Sequence, residues 1–118
     1  MATGSVKSAK SFAYKDVISN VRAVYTTITA NDGSIVHRVN GDGLNILDVQ
    51  FKTSAAIGSG SVDLSSVIPS PLGQQLHAAL ASSDGKTGWM QLTATGAFYI
   101  RCEACSSSYM CGQLVYQS

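Results

Sequence analysis

Cys102 and Cys105 stand in a C-x-x-C near the C-terminal end of the chain, with Cys111 shortly beyond. That spacing serves two chemistries, half of a zinc site or a redox dithiol. Structural zinc takes four ligands, and no second C-x-x-C or paired histidine motif is present to supply them. Cys111, His37 and His77 are the other soft donors, and no local spacing unites them. A redox dithiol favours a helix N-terminus, whereas Cys102 closes an apolar, strand-like run. The cysteines are therefore expected to pack in the core, where cysteine is among the most buried residue types. An odd count fits poorly with a secreted disulfide framework. The state of the thiols is left open by the residues alone.

The remaining candidates for chemistry are sparse. His37 and His77 fall within alternating stretches, next to Arg38 and near Gln75, where a histidine is expected to be a solvated side chain. The serines lack a G-x-S-x-G elbow. The acids Asp16, Asp32, Asp42, Asp48, Asp63, Asp84 and Glu103 contain no close pair of the glycosidase kind. The glycines lie in isolated turns and form neither a P-loop nor a G-x-G-x-x-G. Gly41-Asp42-Gly43 with Asp48 offers too few oxygens for a dedicated calcium site. The expectation is a protein that is not an enzyme, with no catalytic residue, cofactor or metal. What is left is aromatic. Trp89, Tyr99, Tyr109 and Tyr116 suit sugar stacking, a subunit interface or plain core packing. Trp89, Tyr99 and Tyr109 are the ligand-binding candidates.

Composition narrows the partners. The chain has 118 residues and only 13% charged side chains, about half the roughly 25% usual for soluble domains. Ser, Thr, Gly and Ala fill the difference, which predicts a neutral, hydroxyl-rich surface suited to an assembly. The net charge of +1, with its basic residues scattered, excludes the basic face of a nucleic-acid binder. No apolar run approaches the length of a membrane span. The N-terminal MATGSVKSAKSF lacks the apolar core of a signal peptide, so folding in a reducing cytosol is expected.

The elements follow from periodicity and turn chemistry. Residues 1–12 read as a flexible N-terminal arm, and residues 13–118 as a single β-sandwich domain. Tyr14 to Ala30 is ambiguous: Val17, Val21, Val24 and Ile28 fit a helical stripe, while the β-branched content favours one bent or two short strands. Asn31-Asp32-Gly33 is expected to turn, Ile35 to Val39 to form a strand, and Asn40-Gly41-Asp42-Gly43 to turn again. Leu47, Val49 and Phe51 then alternate with Asp48, Gln50 and Lys52, the period of a half-buried strand. Pro69 and Pro71 place the Gly/Ser-rich segment before them along an edge or a crossing. Leu76, Ala78 and Leu80 restore alternation. From Asp84 onward, apolar runs at Trp89–Ala94, Ala97–Cys102 and Tyr109–Tyr116 predict a closing antiparallel meander, with its hairpin at Thr95-Gly96. Trp89 and Met90 must point to opposite faces, so one side of the meander needs a covering partner. The fold class expected is all-β, an antiparallel β-sandwich of jelly-roll type.

Ile68-Pro69, the Ala-rich strand Gln74–Ala81, Gly88-Trp89-Met90-Gln91-Leu92, Thr95-Gly96 and Gly112-Gln113-Leu114-Val115-Tyr116 occur in an order that resembles a known family. It is the small β-sandwich head domains of bacteriophage tail fibres and baseplate receptor-binding proteins. The resemblance covers about three quarters of the chain. It implies a structural virion protein assembled in the host bacterial cytoplasm, a homotrimer that contacts other virion proteins and binds cell-surface glycan without covalent chemistry. The chain departs from the pattern at Ser70-Pro71-Leu72-Gly73, where the family usually carries an Arg-Pro. The alternative expectation is a capsid or tail decoration protein held by its arm, Ala2 to Phe12, with no receptor.

Overall fold

The computed structural model describes residues 10–11, 14–40 and 42–117. The arm expected over residues 1–12 lies outside these except at β1 (Lys10–Ser11), which pairs with Val39 and Arg38. A helix follows, α1 (Tyr14–Val24), and then seven strands: β2 (Ile28–Val39), β3 (Leu44–Thr53), β4 (Val62–Asp63), β5 (Leu76–Ala81), β6 (Thr87–Leu92), β7 (Ala97–Cys102) and β8 (Cys105–Gln117). The class is all-β, as expected. The strands join in one antiparallel sheet of order β1-β2-β3-β8-β5-β6-β7-β4, curled into a half-barrel around a single core.

The helix corrects, over Tyr14–Val24, the strands preferred for Tyr14 to Ala30, while Ile28 to Ala30 do begin β2. Val17, Ile18 and Val21 are buried while Val24 is 42% exposed. In a strand, Val17 and Ile18 would face opposite sides and only one could reach the core. In a helix all three lie on one face against the sheet. Burying a Val or Ile side chain is worth roughly 1.5–3 kcal/mol, whereas the helical penalty of a β-branched residue is below about 0.7 kcal/mol. Packing outweighs propensity. Arg22 in the last turn also complements the negative end of the helix dipole.

The turn expected at Asn31-Asp32-Gly33 is instead a bulge inside β2. Ile28 pairs with Thr53 and Gly33 with Phe51, so five steps along β2 match two along β3. Gly33 is required there by contact, since a Cβ would lie 2.9 Å from both the Gln50 carbonyl oxygen and the Phe51 Cβ. The next turn forms as expected. Asn40 Oδ1 accepts the backbone N–H of Asp42 and of Leu44, and Gly43 adopts a φ of 79°. β3 buries Leu47, Val49 and Phe51, the face its alternation marks.

The stretch between β3 and β5 runs along the free edge of β7, in keeping with its prolines. Ile57 and Cys102 exchange both backbone hydrogen bonds, and Val62 pairs with Phe98. Leu64 and Ile68 turn inward from this stretch and are buried. The buried Tyr116 donates its hydroxyl to the Pro69 carbonyl at 2.6 Å.

The closing meander is only partly observed. β6 and β7 pair around Gly96, whose φ of 93° suits the turn. β8 does not continue beside β7. It crosses to the far side of β5 and fills the place between β3 and β5. The core asks for this: Met110, Leu114 and Tyr116 are buried, and in this position they extend the apolar face of β3.

Candidate functional site

The hairpin β6–β7 and its neighbour β5 build one outward-facing cluster. Met90, Leu92, Phe98 and Ile100 point inward and are buried. By the period of two, Trp89, Gln91, Tyr99 and Arg101 must point out. Register then sets the neighbours. Ala79, Trp89 and Arg101 lie side by side across the three strands, and His77, Gln91 and Tyr99 form the next row.

Trp89 is the centre of this face, with 36% of its surface exposed. The His77 ring meets it edge-on, centroids 6.0 Å apart at 70°. The Arg101 guanidinium lies 5.9 Å from the indole centroid and is held from below by the Gly58 carbonyl, which accepts from Nη2 at 2.8 Å and Nε at 3.2 Å. The loop carrying Gly58 is itself fastened, because the buried Tyr25 donates its hydroxyl to the Gly60 carbonyl. Tyr25 Oη also accepts the Ile100 N–H at 3.2 Å. Between loop and hairpin lies an open trough of about 340 Å³, lined by Gly58, Ser59, Trp89, Gln91, Tyr99 and Arg101 among others. A second hollow of about 450 Å³ opens on the opposite side of Trp89, over His77, Ala79 and Gly88.

Of the three aromatic candidates, the structure brings Trp89 and Tyr99 to this trough. Tyr109 is elsewhere, on β8, half-buried with the Lys52 ammonium 4.9 Å from its ring centroid. Tyr116 is core. Gln91, Arg101 and the Gly58–Gly60 loop were not singled out from the residues, and His77 was weighed only as a metal donor or a solvated side chain. One signal was available for Arg101: if the Thr95-Gly96 turn pairs Leu92 with Phe98, Trp89 must face Arg101 three residues further out. The Gly58 contact has no sequence signal, because the loop arrives from 43 residues away.

Two other expectations change. His37 is not solvated. It is 1% exposed, and its Nε2 lies 2.7 Å from the Oδ1 of the buried Asn45. Asn45 in turn donates to the Gly43 carbonyl at 2.9 Å. Burial holds the imidazole pKa below its usual value, partly offset by the Asn45 bond. His77 is exposed, as expected. The thiols also divide. All three are free, but Cys102 and Cys105 are buried while Cys111 is exposed on β8, so packing explains two of the three. Cys111 is turned out because its neighbours Met110 and Leu114 set the opposite phase. Burial pushes the Cys102 thiol up to about 11, which keeps it protonated at neutral pH.

Among the described residues no three His, Cys, Asp or Glu side chains gather as a metal site, and no helix is long and apolar enough to cross a membrane. Compared with protein families, curated proteins and solved structures, the chain finds no match.

Proposed function

We propose that this chain is a non-enzymatic recognition subunit, a virion protein of the fibre-head type that binds cell-surface glycan on the Trp89 face. The observation that carries the reading is Trp89 itself. A large aromatic ring stands outward on a rigid sheet, framed by His77 and Arg101, in an open trough with amide, hydroxyl and backbone groups around it. An indole face offers its π surface to the C–H side of a sugar ring, while such polar neighbours take the hydroxyls. A shallow trough gives weak single-site binding, which trimeric avidity would raise; the virion setting and the trimer rest on the sequence resemblance.

Trp89 is the only tryptophan, so intrinsic fluorescence reports directly on this face. Titration with bacterial surface polysaccharides should shift its emission, and native mass measurement should give a trimer. A monomer whose emission no polysaccharide moves would sink the proposal. The decoration reading draws on one observation: β1 forms the edge of the sheet, the kind of edge that accepts a strand from a neighbouring subunit. Deleting residues 2–12 abolishes incorporation into particles under that reading, and unchanged occupancy rejects it.

A further inference from the structure

We infer that the Trp89 trough prefers an anionic saccharide, one bearing a carboxylate or phosphate, and that Arg101 is the group that binds the anion. The inference rests on the glycan reading above and names its ligand class. Arg101 is fixed before any ligand arrives, because its Nε and Nη2 donate to the Gly58 carbonyl and the loop is secured through Tyr25 and Gly60. A positioned guanidinium loses little freedom on binding. Among the described residues its Nη1 has no hydrogen-bond partner and no carboxylate forms an ion pair with it; Arg38 and Asp48 make an ion pair on β2 and β3.

Glu103, one residue past the end of β7, is the acid that follows Arg101 in the chain, and its Oε2 is engaged by the Thr87 N–H and hydroxyl at 2.9 and 3.0 Å. Among the described residues the charge of Arg101 is thus uncompensated, on a face otherwise made of Trp89, Gln91, Tyr99 and Ser59. On a chain with so few charges, one such cation dominates the local field. Guanidinium also matches carboxylate and phosphate geometry through paired N–H groups. A sugar stacked on the indole places a ring substituent within reach of that group.

The test uses Trp89 fluorescence on the full chain, with three sets of probes. These are neutral hexose trimers of gluco, galacto and manno configuration, the uronate trimers of the same configurations, and a glycerol phosphate oligomer. The expected result is that one anionic set binds about tenfold tighter than the neutral trimers, the scale of one charge-assisted hydrogen bond. Which set it is separates a carboxylate from a phosphate source. R101Q should remove that preference, so that neutral and anionic trimers bind it alike. R101K, which keeps the charge without the two-pronged bond to Gly58, should retain part of the preference and serves if R101Q does not fold. Equal binding of neutral and anionic sugars overturns the inference and leaves the glycan reading standing. Anion preference unchanged in both variants removes Arg101 from the role. No binding by any probe overturns both.

Discussion

Asp84 accepts a hydrogen bond from the Ser108 hydroxyl at 2.8 Å, tying the turn between β5 and β6 to the first residues of β8. Ser82 within the turn donates to the same carboxylate oxygen, and Ser107 reaches the other at 3.4 Å. This is the point where β8 leaves β7 and passes across the β5–β6 turn to its place beside β3. Hydrogen bonds from Ser82 first, then Ser108, hold the Asp84 carboxyl below its ordinary value of 3.8. A depressed folded pKa contributes stability that is present above 3.8 and is lost as the pH falls through the lower folded value. Asp84→Ala should therefore lower the urea midpoint at neutral pH. The gap to the parent should close once the pH lies well below that value. An equal gap at both pH values would show that the carboxylate hydrogen bonds are not the source.

Trp89 and Met90 are adjacent and face opposite sides, one 36% exposed and the other fully buried. Met90→Ala leaves a cavity under Leu80 and Ile100 and should cost about 2–5 kcal/mol in denaturant unfolding. Trp89→Ala should cost clearly less than Met90→Ala, because part of the indole already faces water and its removal leaves an open hollow rather than a closed cavity. Comparable losses for the two variants would mean that the outer face is buried by a partner in solution.

Two glycines mark where strands approach most closely. A Cβ on Gly112 would lie 2.6 Å from the Ala79 carbonyl oxygen and from the Leu80 Cδ2, and one on Gly88 would lie 2.3 Å from the Cys102 Cβ. Alanine at either site forces the sheet apart and should cost about 1–3 kcal/mol. Gly58 meets nothing within 4 Å, so Gly58→Ala should be neutral to about 0.5 kcal/mol. Equal effects at the three sites, measured by thermal unfolding, would reject this packing.

What was legible in the residues was local. Alternation in β3 and β5, the opposite facing of Trp89 and Met90 in β6, and the turns at Asn40–Gly43, Ser83–Lys86 and Thr95-Gly96 follow from side-chain period and turn chemistry. Long-range pairing left no such mark. The apolar residues of β8 look alike whether the strand lies beside β7 or between β3 and β5, and the burial of Met110 and Leu114 decides it. His37 shows the same limit. It was expected to be a solvated side chain, yet it shares the buried face of Ile35, and Asn45, which bonds it there, comes from the next strand. Of the candidate site, the aromatic residue was readable and its frame was not, because Gly58 arrives through the loop after β3.

The His37–Asn45 pair has a consequence in mild acid. The folded imidazole pKa lies below 6.5 because burial opposes the charged form, so the unfolded chain binds the proton more readily. Stability should hold above 6.5 and decline as the pH falls from there toward the folded value. His37→Leu removes the titrating group and should flatten the decline in that window, at the expense of leaving Asn45 Oδ1 without its partner. Unfolding midpoints across the window, compared between parent and variant, check this; parallel curves would place the titration elsewhere.

The three thiols should differ sharply in reactivity. Cys111 is exposed, while Cys102, paired with Ile57, and Cys105, at the start of β8, are buried in the core. Cys105 Sγ also lies 3.0 Å from the Ser108 carbonyl, to which it donates. Burial raises the Cys102 thiol to about 11, so at neutral pH it is both inaccessible and protonated, and only local or global opening admits a reagent. Brief alkylation of the native protein should add a single label, at Cys111, and alkylation in denaturant should add three. Cys111→Ser should abolish native labelling and leave stability unchanged, because its side chain faces solvent. Rapid native labelling of Cys102 would mean that the Ile57–Cys102 bridge opens readily, and with it the wall that supports Gly58 and Arg101.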